Sequence, residues 1–280
     1  MILAGFAGAF FVVLAAVQIA SDSLNASVAS AGTFPRRISP RFGETVYGVL
    51  DRLAPAPYVE STLAQRSLDR GDVASAEHYA MRLPASSQRD ALLARVASAR
   101  GEERLALEYS LAALDVDAVQ SAAQRLAVSD PQAAYMLERV LEVRLSGTGT
   151  HPAAVAETRW QMGLVANRTA WREVPGSPAQ RAWLERAFSD FETAVFLAPL
   201  SERYVIADAN QADLLGARSR AELLFARAAD IDPGSADAVA GLGVVAFQNG
   251  DRQKARAYLA LARSHDPGSQ MVRALERDLR

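Results

Sequence analysis

The sequence contains no cysteine and only three histidines among its 280 residues. Without cysteine the chain can form no disulfide, no thiolate nucleophile and no cysteine-ligated metal site. His78, His151 and His265 are far apart along the chain, so they show no metal-ligand spacing. The formal net charge of -2 argues against a nucleic-acid binder, because such domains are usually strongly basic.

Catalytic motifs are missing as well. The sequence has no Gly-x-x-x-x-Gly-Lys-Ser/Thr phosphate loop, no Gly-x-Gly-x-x-Gly, no His-Glu-x-x-His and no Gly-x-Ser-x-Gly. Asp230 and Asp232 offer a D-x-D metal pair, but the Pro233-Gly234 that follows favours a turn. We therefore predict a protein with no catalytic residues, no cofactor and no metal, and an enzyme is the least favoured alternative.

One long apolar run stands at the beginning of the chain. Residues 2–20 carry no charge and one polar side chain, Gln18, and as a helix they would extend about 28 Å, close to the thickness of a bilayer core. A cleaved signal peptide is the alternative, but no basic segment precedes the run and the Ala29-Ser30-Ala31 pattern lies well past it. We predict a transmembrane anchor at residues 1–20.

The predicted anchor has small residues at helical spacing, Ala4 with Gly8 and Gly5 with Ala9. Such positions allow two membrane helices to approach closely. The alternative is that glycine and alanine are simply common in membrane spans. The anchor would be surrounded by membrane lipid in either case.

Residues 21–57 form a predicted linker, which holds four prolines. Arg36, Arg37 and Arg41 would place the following domain in the cytoplasm by the positive-inside rule. Asp22 and a Ser/Ala/Asn stretch lie closer to the anchor and resemble an exported stalk. We expect a single-pass protein of a bacterial inner membrane, with the extracytoplasmic side slightly favoured for its soluble domain.

The remainder of the chain contains an internal repeat. The frame Ala-x3-Phe/Leu-x2-Ala-x4-Pro occurs three times at a spacing of 34 residues. Its members are Ala187, Phe191, Ala194 and Pro199; Ala221, Phe225, Ala228 and Pro233; and Ala255, Leu259, Ala262 and Pro267. A fixed period of this length is typical of solenoid proteins.

This frame, with Leu242-Gly243 and Gly250-Asp251 in the last unit, resembles the tetratricopeptide repeat (TPR) family, in its membrane-anchored bacterial form. The resemblance implies an all-α, right-handed α-solenoid of about six helical pairs plus a cap. It assigns degenerate helical repeats to residues 58–146, TPR repeats to 151–267 and a capping helix to 268–280. A Gly/Ser/Thr joint at 146–150 is expected to divide the solenoid into two lobes.

One unit is longer than the others. Gly163 and Ala187 are 24 residues apart, whereas Gly243 and Ala255 are 12 apart. We predict an insertion of about twelve residues, most of it at 171–179, and insertions in repeat proteins often lie on the binding face. Trp160, Trp171 and Trp183 cluster in this unit; they either pack its core or, for Trp171, form an exposed anchor for a partner.

TPR arrays bind peptides on a concave face lined by the first helix of each unit. By position in the repeat, the candidate groove residues are Arg159, Asn167, Tyr204, Asn210 and Gln211. Some relatives clamp a C-terminal carboxylate with Lys and Asn. That clamp is not carried here, because the basic positions read Ile206 and Asp237. The alternative is that the candidates are ordinary polar surface.

Two functions are therefore open. The first is a membrane-anchored TPR scaffold or adaptor that mediates protein–protein interactions in a bacterial membrane or envelope complex. The second is an integral accessory subunit of a larger membrane complex, held by its transmembrane helix. Arginine outnumbers lysine 29 to 1, which favours a bacterial, high-GC origin. The expected partners are other membrane or envelope proteins, with no nucleic acid.

Overall fold

The computed structural model describes residues 57–149 and 151–280, and all the regular secondary structure in this part of the chain is helical. The thirteen helices described are α1 Pro57–Asp69, α2 Val73–Arg82, α3 Ser87–Ala99, α4 Glu103–Ala113, α5 Val116–Ser129, α6 Pro131–Thr148, α7 Pro152–Ala170, α8 Pro178–Leu197, α9 Glu202–Leu214, α10 Arg218–Ile231, α11 Ala236–Gln248, α12 Arg252–His265 and α13 Gln270–Asp278. The all-α prediction is confirmed for the described residues.

The predicted anchor, with Ala4, Gly5, Gly8 and Ala9, lies outside the described residues, and so does the predicted linker up to residue 56. Among the helices between residues 57 and 280 that the structure describes, none has both the length and the apolar character to cross a membrane.

The described helices form two compact units, one ending at Asp115 and one beginning at Val116. The first contains the pairs α1–α2 and α3–α4. The second contains the pairs α5–α6, α7–α8, α9–α10 and α11–α12, followed by α13, which packs on α11 and α12. Six pairs and a terminal helix agree with the solenoid predicted from the repeat.

The position of the boundary between the units differs from the sequence-based expectation of a joint at 146–150. Helix α6 continues to Thr148 and packs along α7, so α5 and α6 belong to the same compact unit as the later repeats. The Gly/Ser/Thr composition indicated a flexible joint. The structure shows no division at this point, because the buried face of α6, which includes Tyr135, Leu141 and Leu145, packs against α7.

The repeat frame places its residues in the core. All six of its alanines are fully buried, and Phe191 and Phe225 are almost fully buried. A methyl group built on Gly241 would lie 2.3 Å from the Phe225 ring, and one on Gly163 would lie 2.5 Å from the Phe191 ring. Each phenylalanine therefore fills a groove that exists only because the facing helix has no side chain at that point.

The frame prolines set the ends of the second helices. Helices α8, α10 and α12 end two residues before Pro199, Pro233 and Pro267. The residue between helix end and proline leaves the helical region each time, with ψ of 73°, 96° and 102°. This is the restriction that a proline ring imposes on its predecessor.

The predicted insertion is mostly helix and not loop. Helices α7 and α8 have 19 and 20 residues, whereas α11 and α12 have 13 and 14. Only residues 171–177 connect α7 to α8. Two facing helices that lengthen together keep burying each other's apolar faces, which a loop of twelve residues could not do. The unit therefore forms a longer hairpin with a short loop at its tip.

Candidate partner-binding surface

The loop at the tip of the α7–α8 hairpin is held by hydrogen bonds at both ends. The Trp171 N–H donates to the Asn167 carbonyl at 3.2 Å, and the Gly176 N–H donates to Gln180 Oε1 at 2.7 Å. Arg172 Nη2 donates to the Val128 carbonyl at 2.7 Å, which ties the loop to the end of α5. The loop is therefore fixed to its own hairpin and to the preceding helical pair.

This fixed loop presents apolar side chains to solvent. Trp171 is 62% exposed and Val174 is 72% exposed, and Val128 at the tie point on α5 is 70% exposed. We call Val128, Trp171 and Val174 the tip patch. Exposed apolar side chains that occur together mark interaction surfaces more often than single ones do, and Trp is the residue type most enriched at interface hot spots.

The other two tryptophans pack within the protein. Trp183 is buried and lies edge-on to the Tyr135 ring, with 5.5 Å between centroids. Trp160 is half-buried, and the Arg203 guanidinium lies 4.2 Å from the centroid of its ring. Among the three tryptophans of this unit, Trp171 alone is exposed, and its role as an anchor for a partner stays a prediction.

Arg159, a predicted groove residue, belongs to a polar network that joins three helices. Its Nη1 lies 2.8 Å from Asp190 Oδ1 on α8, and its Nη2 lies 3.3 Å from Glu142 Oε1 on α6. The Tyr135 hydroxyl donates to Asp190 Oδ2 at 2.9 Å. Burial raises the pKa of Asp190 even though Arg159 and Tyr135 stabilise its charged form. The Arg159 guanidinium thus forms ion pairs with two carboxylates of neighbouring helices.

Glu138 lies near this network without a comparable partner. Its side chain is 1% exposed, and no hydrogen-bond partner reaches its Oε2. Burial raises its pKa to about 7, and the neighbouring carboxylate of Glu157 on α7 adds to the rise. Glu157 itself is ion-paired to Arg203 and accepts a hydrogen bond from the Tyr204 hydroxyl at 2.7 Å. Glu138 is therefore the buried acid whose charge is least compensated in this region.

The structure places the other predicted groove residues mainly between helices. Tyr204 is buried against Glu157, and Gln211 is fully buried with its Nε2 donating to the Leu184 carbonyl at 2.8 Å. Neither can line an open groove, because their positions face a neighbouring helix. Asn167 and Asn210 are half-buried, and a binding role for them stays a prediction.

The sequence analysis missed the cluster of Arg203, Trp160 and Glu157. A weak signal was present, because Glu157 and Trp160 are three residues apart and share a face of α7. What the sequence could not supply is that Arg203 of α9 reaches across to that face. Within residues 57–149 and 151–280, no group of three His, Asp or Glu side chains is placed to hold a metal ion.

Comparisons with known proteins agree with the repeat analysis. Residues 215–279 match the family model described as tetratricopeptide repeat. The fold is similar to the C-terminal part of a TPR repeat-containing protein from Cytophaga hutchinsonii, with 15% identity, a TM-score of 0.54, and coverage of 82% of this chain and 92% of that one. It is also similar to PilF of Pseudomonas aeruginosa, with 18% identity, a TM-score of 0.47, and coverage of 79% and 97%. No curated protein sequence matches the chain significantly.

Proteins with this repeat generally mediate protein–protein interactions, and the fold is typically a non-enzymatic scaffold. The repeat frame, the family match and the structural similarity support one conclusion: the described part of the chain is an all-helical, TPR-like solenoid, and its segment 215–279 matches the tetratricopeptide repeat model.

Proposed function

We propose that the protein is a membrane-anchored, non-enzymatic TPR scaffold that holds partner proteins in a complex of the bacterial inner membrane or envelope, with its helical domain on the extracytoplasmic side. The observation that carries the proposal is the tip patch. An exposed tryptophan on a fixed loop can bury its ring in a partner at little cost in conformational entropy.

The sequence of the first twenty residues supports the anchored form, because residues 2–20 are uncharged and long enough to span a bilayer as a helix. An anchor that keeps the helical pairs near a membrane makes other membrane or envelope proteins the partners most available to the tip patch. The arginine-rich, lysine-poor composition supports a bacterial setting.

The test is to purify the tagged full chain from its native membranes in mild detergent and to quantify what accompanies it by mass spectrometry. Trp171→Ala is expected to weaken binding of the main partner about thirtyfold or more, the effect of losing a hot-spot side chain. Leu223→Ala is the matched control, since Leu223 is also an exposed apolar side chain of the same compact unit. Unchanged partner recovery with Trp171→Ala would exclude the tip patch from binding.

A second candidate function is an integral accessory subunit whose anchor packs against a larger membrane complex. The small residues Ala4, Gly5, Gly8 and Ala9 favour it, because they would let membrane helices approach closely. Gly8→Leu separates the two functions. It should release the protein from its complex if the anchor provides the contact, and it should leave the complex intact if the tip patch does.

A further inference from the structure

Two exposed arginines lie beside the tip patch. Arg125 is on α5 one helical turn before Val128, and Arg168 is on α7 one turn before Trp171. Within residues 57–149 and 151–280, neither arginine forms an ion pair or a side-chain hydrogen bond. Each therefore presents an uncompensated positive charge next to an exposed apolar side chain.

A third arginine adds to the positive charge of the tip. Arg172 holds the loop through the Val128 carbonyl, and this neutral acceptor leaves its charge in place. Two carboxylates are nearby in the sequence, Asp130 directly before α6 and Glu173 in the loop. Asp130 accepts a hydrogen bond from the Ala133 N–H at 3.0 Å, and the N-terminus of α6 offsets part of its charge. Three arginines against two carboxylates leave the tip with an excess of positive charge.

The positions of these charges limit what the patch can contact. Three residues of helix correspond to about 4.5 Å, so Arg125 and Arg168 lie one turn behind the apolar side chains, each on a different helix. A partner that takes the Trp171 ring into an apolar pocket brings the edges of that pocket close to both arginines. Edges without negative charge would leave two guanidinium groups partly dehydrated and unpaired, whereas carboxylates would form charge-assisted hydrogen bonds with them.

An anionic lipid surface also offers negative charge, but it fits the loop less well. Glu173 stands between Trp171 and Val174, so inserting both apolar side chains among lipid headgroups would bring this carboxylate against phosphates of the same sign. A protein pocket can place its carboxylates at the two arginines and keep negative charge away from Glu173.

We propose that the tip patch binds a folded partner protein whose apolar pocket is flanked by carboxylates, with the Trp171 ring in the pocket and the carboxylates paired to Arg125 and Arg168. This inference rests on the proposed scaffold function and deepens it by giving the partner a chemical class. The contact lies at the tip of the α7–α8 hairpin and not along a groove between helices. Burial of Trp171 slows dissociation of the complex, and the arginines speed its formation by attracting the acidic partner.

The charge of the tip is measurable on the full chain in an uncharged detergent, without any partner. Iodide and caesium ions should quench mainly Trp171, and a Trp171→Phe variant gives the contribution of the other two tryptophans. Relative to free N-acetyltryptophanamide, iodide should quench Trp171 at least about twofold more strongly than caesium at low ionic strength. Arg125→Gln and Arg168→Gln should each reduce this preference, and Arg168→Lys should keep it. Arg256→Gln is the matched control, because Arg256 is an exposed arginine of α12 in the same compact unit.

The second measurement uses the partner that Trp171→Ala loses from the membrane preparation, once mass spectrometry has identified it and it has been purified. In surface plasmon resonance, Arg125→Gln and Arg168→Gln should each slow association about fivefold or more at low salt, with little change in dissociation. Glu173→Gln should speed association, and added salt should remove these differences. Trp171→Ala should act mainly by speeding dissociation.

Equal quenching by iodide and caesium, or unchanged association rates in both arginine variants, would overturn the inference and leave the scaffold function standing. A blue shift of the Trp171 emission in phosphatidylglycerol nanodiscs relative to phosphatidylcholine nanodiscs would assign the patch to anionic lipid and would also overturn it. If circular dichroism shows that an arginine variant is unfolded, Glu173→Gln provides the test, with faster association and a larger iodide preference expected. If no partner depends on Trp171, the scaffold function itself is removed, whatever the quenching shows.

Discussion

Replacing Glu138 with glutamine should stabilise the second compact unit at alkaline pH and change little in acid. The carboxyl of Glu138 is buried, its Oε2 has no hydrogen-bond partner, and Glu157 lies close enough to repel its charge. Its pKa therefore rises from 4.5 to about 7 on folding. Because the folded state prefers the protonated acid, ionisation of Glu138 takes almost nothing from the free energy of unfolding at pH values well below 4.5. The loss of stability grows as the pH rises from 4.5 to 7.

The size of the effect follows from the shift in pKa. Each pKa unit corresponds to about 1.4 kcal/mol, so the ionised Glu138 costs about 3 kcal/mol at pH 8 and less than about 1 kcal/mol at pH 5. Glutamine is uncharged at every pH. The Glu138→Gln variant should thus exceed the wild type in free energy of unfolding by about 3 kcal/mol at pH 8, and the difference should largely vanish at pH 5.

Urea unfolding followed by tryptophan fluorescence measures this difference, since Trp160, Trp171 and Trp183 all lie in the second compact unit with Glu138. Glu185→Gln is the control, because Glu185 is an exposed glutamate of α8 whose loss should change the stability by less than about 1 kcal/mol. The reasoning is refuted if Glu138→Gln is no more stable than the wild type at pH 8. A gain of the same size at pH 5 and pH 8 would also refute it, because titration could not then be the cause.

Two further predictions concern packing and the polar network. Gly241→Ala should lower the free energy of unfolding in urea by about 1–3 kcal/mol, because the added methyl would overlap the Phe225 ring. Gly147→Ala is the control: this glycine of α6 has open space around it, so the change should be neutral or stabilising by up to about 1 kcal/mol. Tyr135→Phe should lower the free energy of unfolding by about 1–3 kcal/mol in thermal or urea unfolding, because Asp190 loses a buried hydrogen-bond donor. If the variant is as stable as the wild type, this hydrogen bond contributes nothing to stability.

The repeat was visible in the sequence because its packing is local. An alanine, a phenylalanine or leucine, and a proline recur at fixed spacing in and just after the second helix of each of the last three pairs. The frame phenylalanine packs against a glycine in two of them, Phe225 against Gly241 of the next pair and Phe191 against Gly163 of its own pair. The prolines could be interpreted for the same reason, since their effect on the preceding residue needs no distant partner.

The exposure of the candidate groove residues was harder to predict, because it depends on which helix packs against each of them. Gln211 and Tyr204 have the polar groups of surface residues, yet both are buried against neighbouring helices. Their hydrogen-bond partners, Leu184 and Glu157, are remote in sequence. The insertion was located correctly in the α7–α8 unit, but periodicity alone could not show that both helices lengthen and leave only a short loop.

By itself, the sequence determined the helical class, the repeat of 34 residues, the number of helical pairs and the places where the second helices end, because these depend on local spacing and on proline and glycine geometry. Only the tertiary structure shows the boundary between the two compact units, the exposure of Trp171 and the network around Arg159. Each of these depends on side chains that meet across helices, and the burial that raises the pKa of Glu138 exists only once those helices are packed.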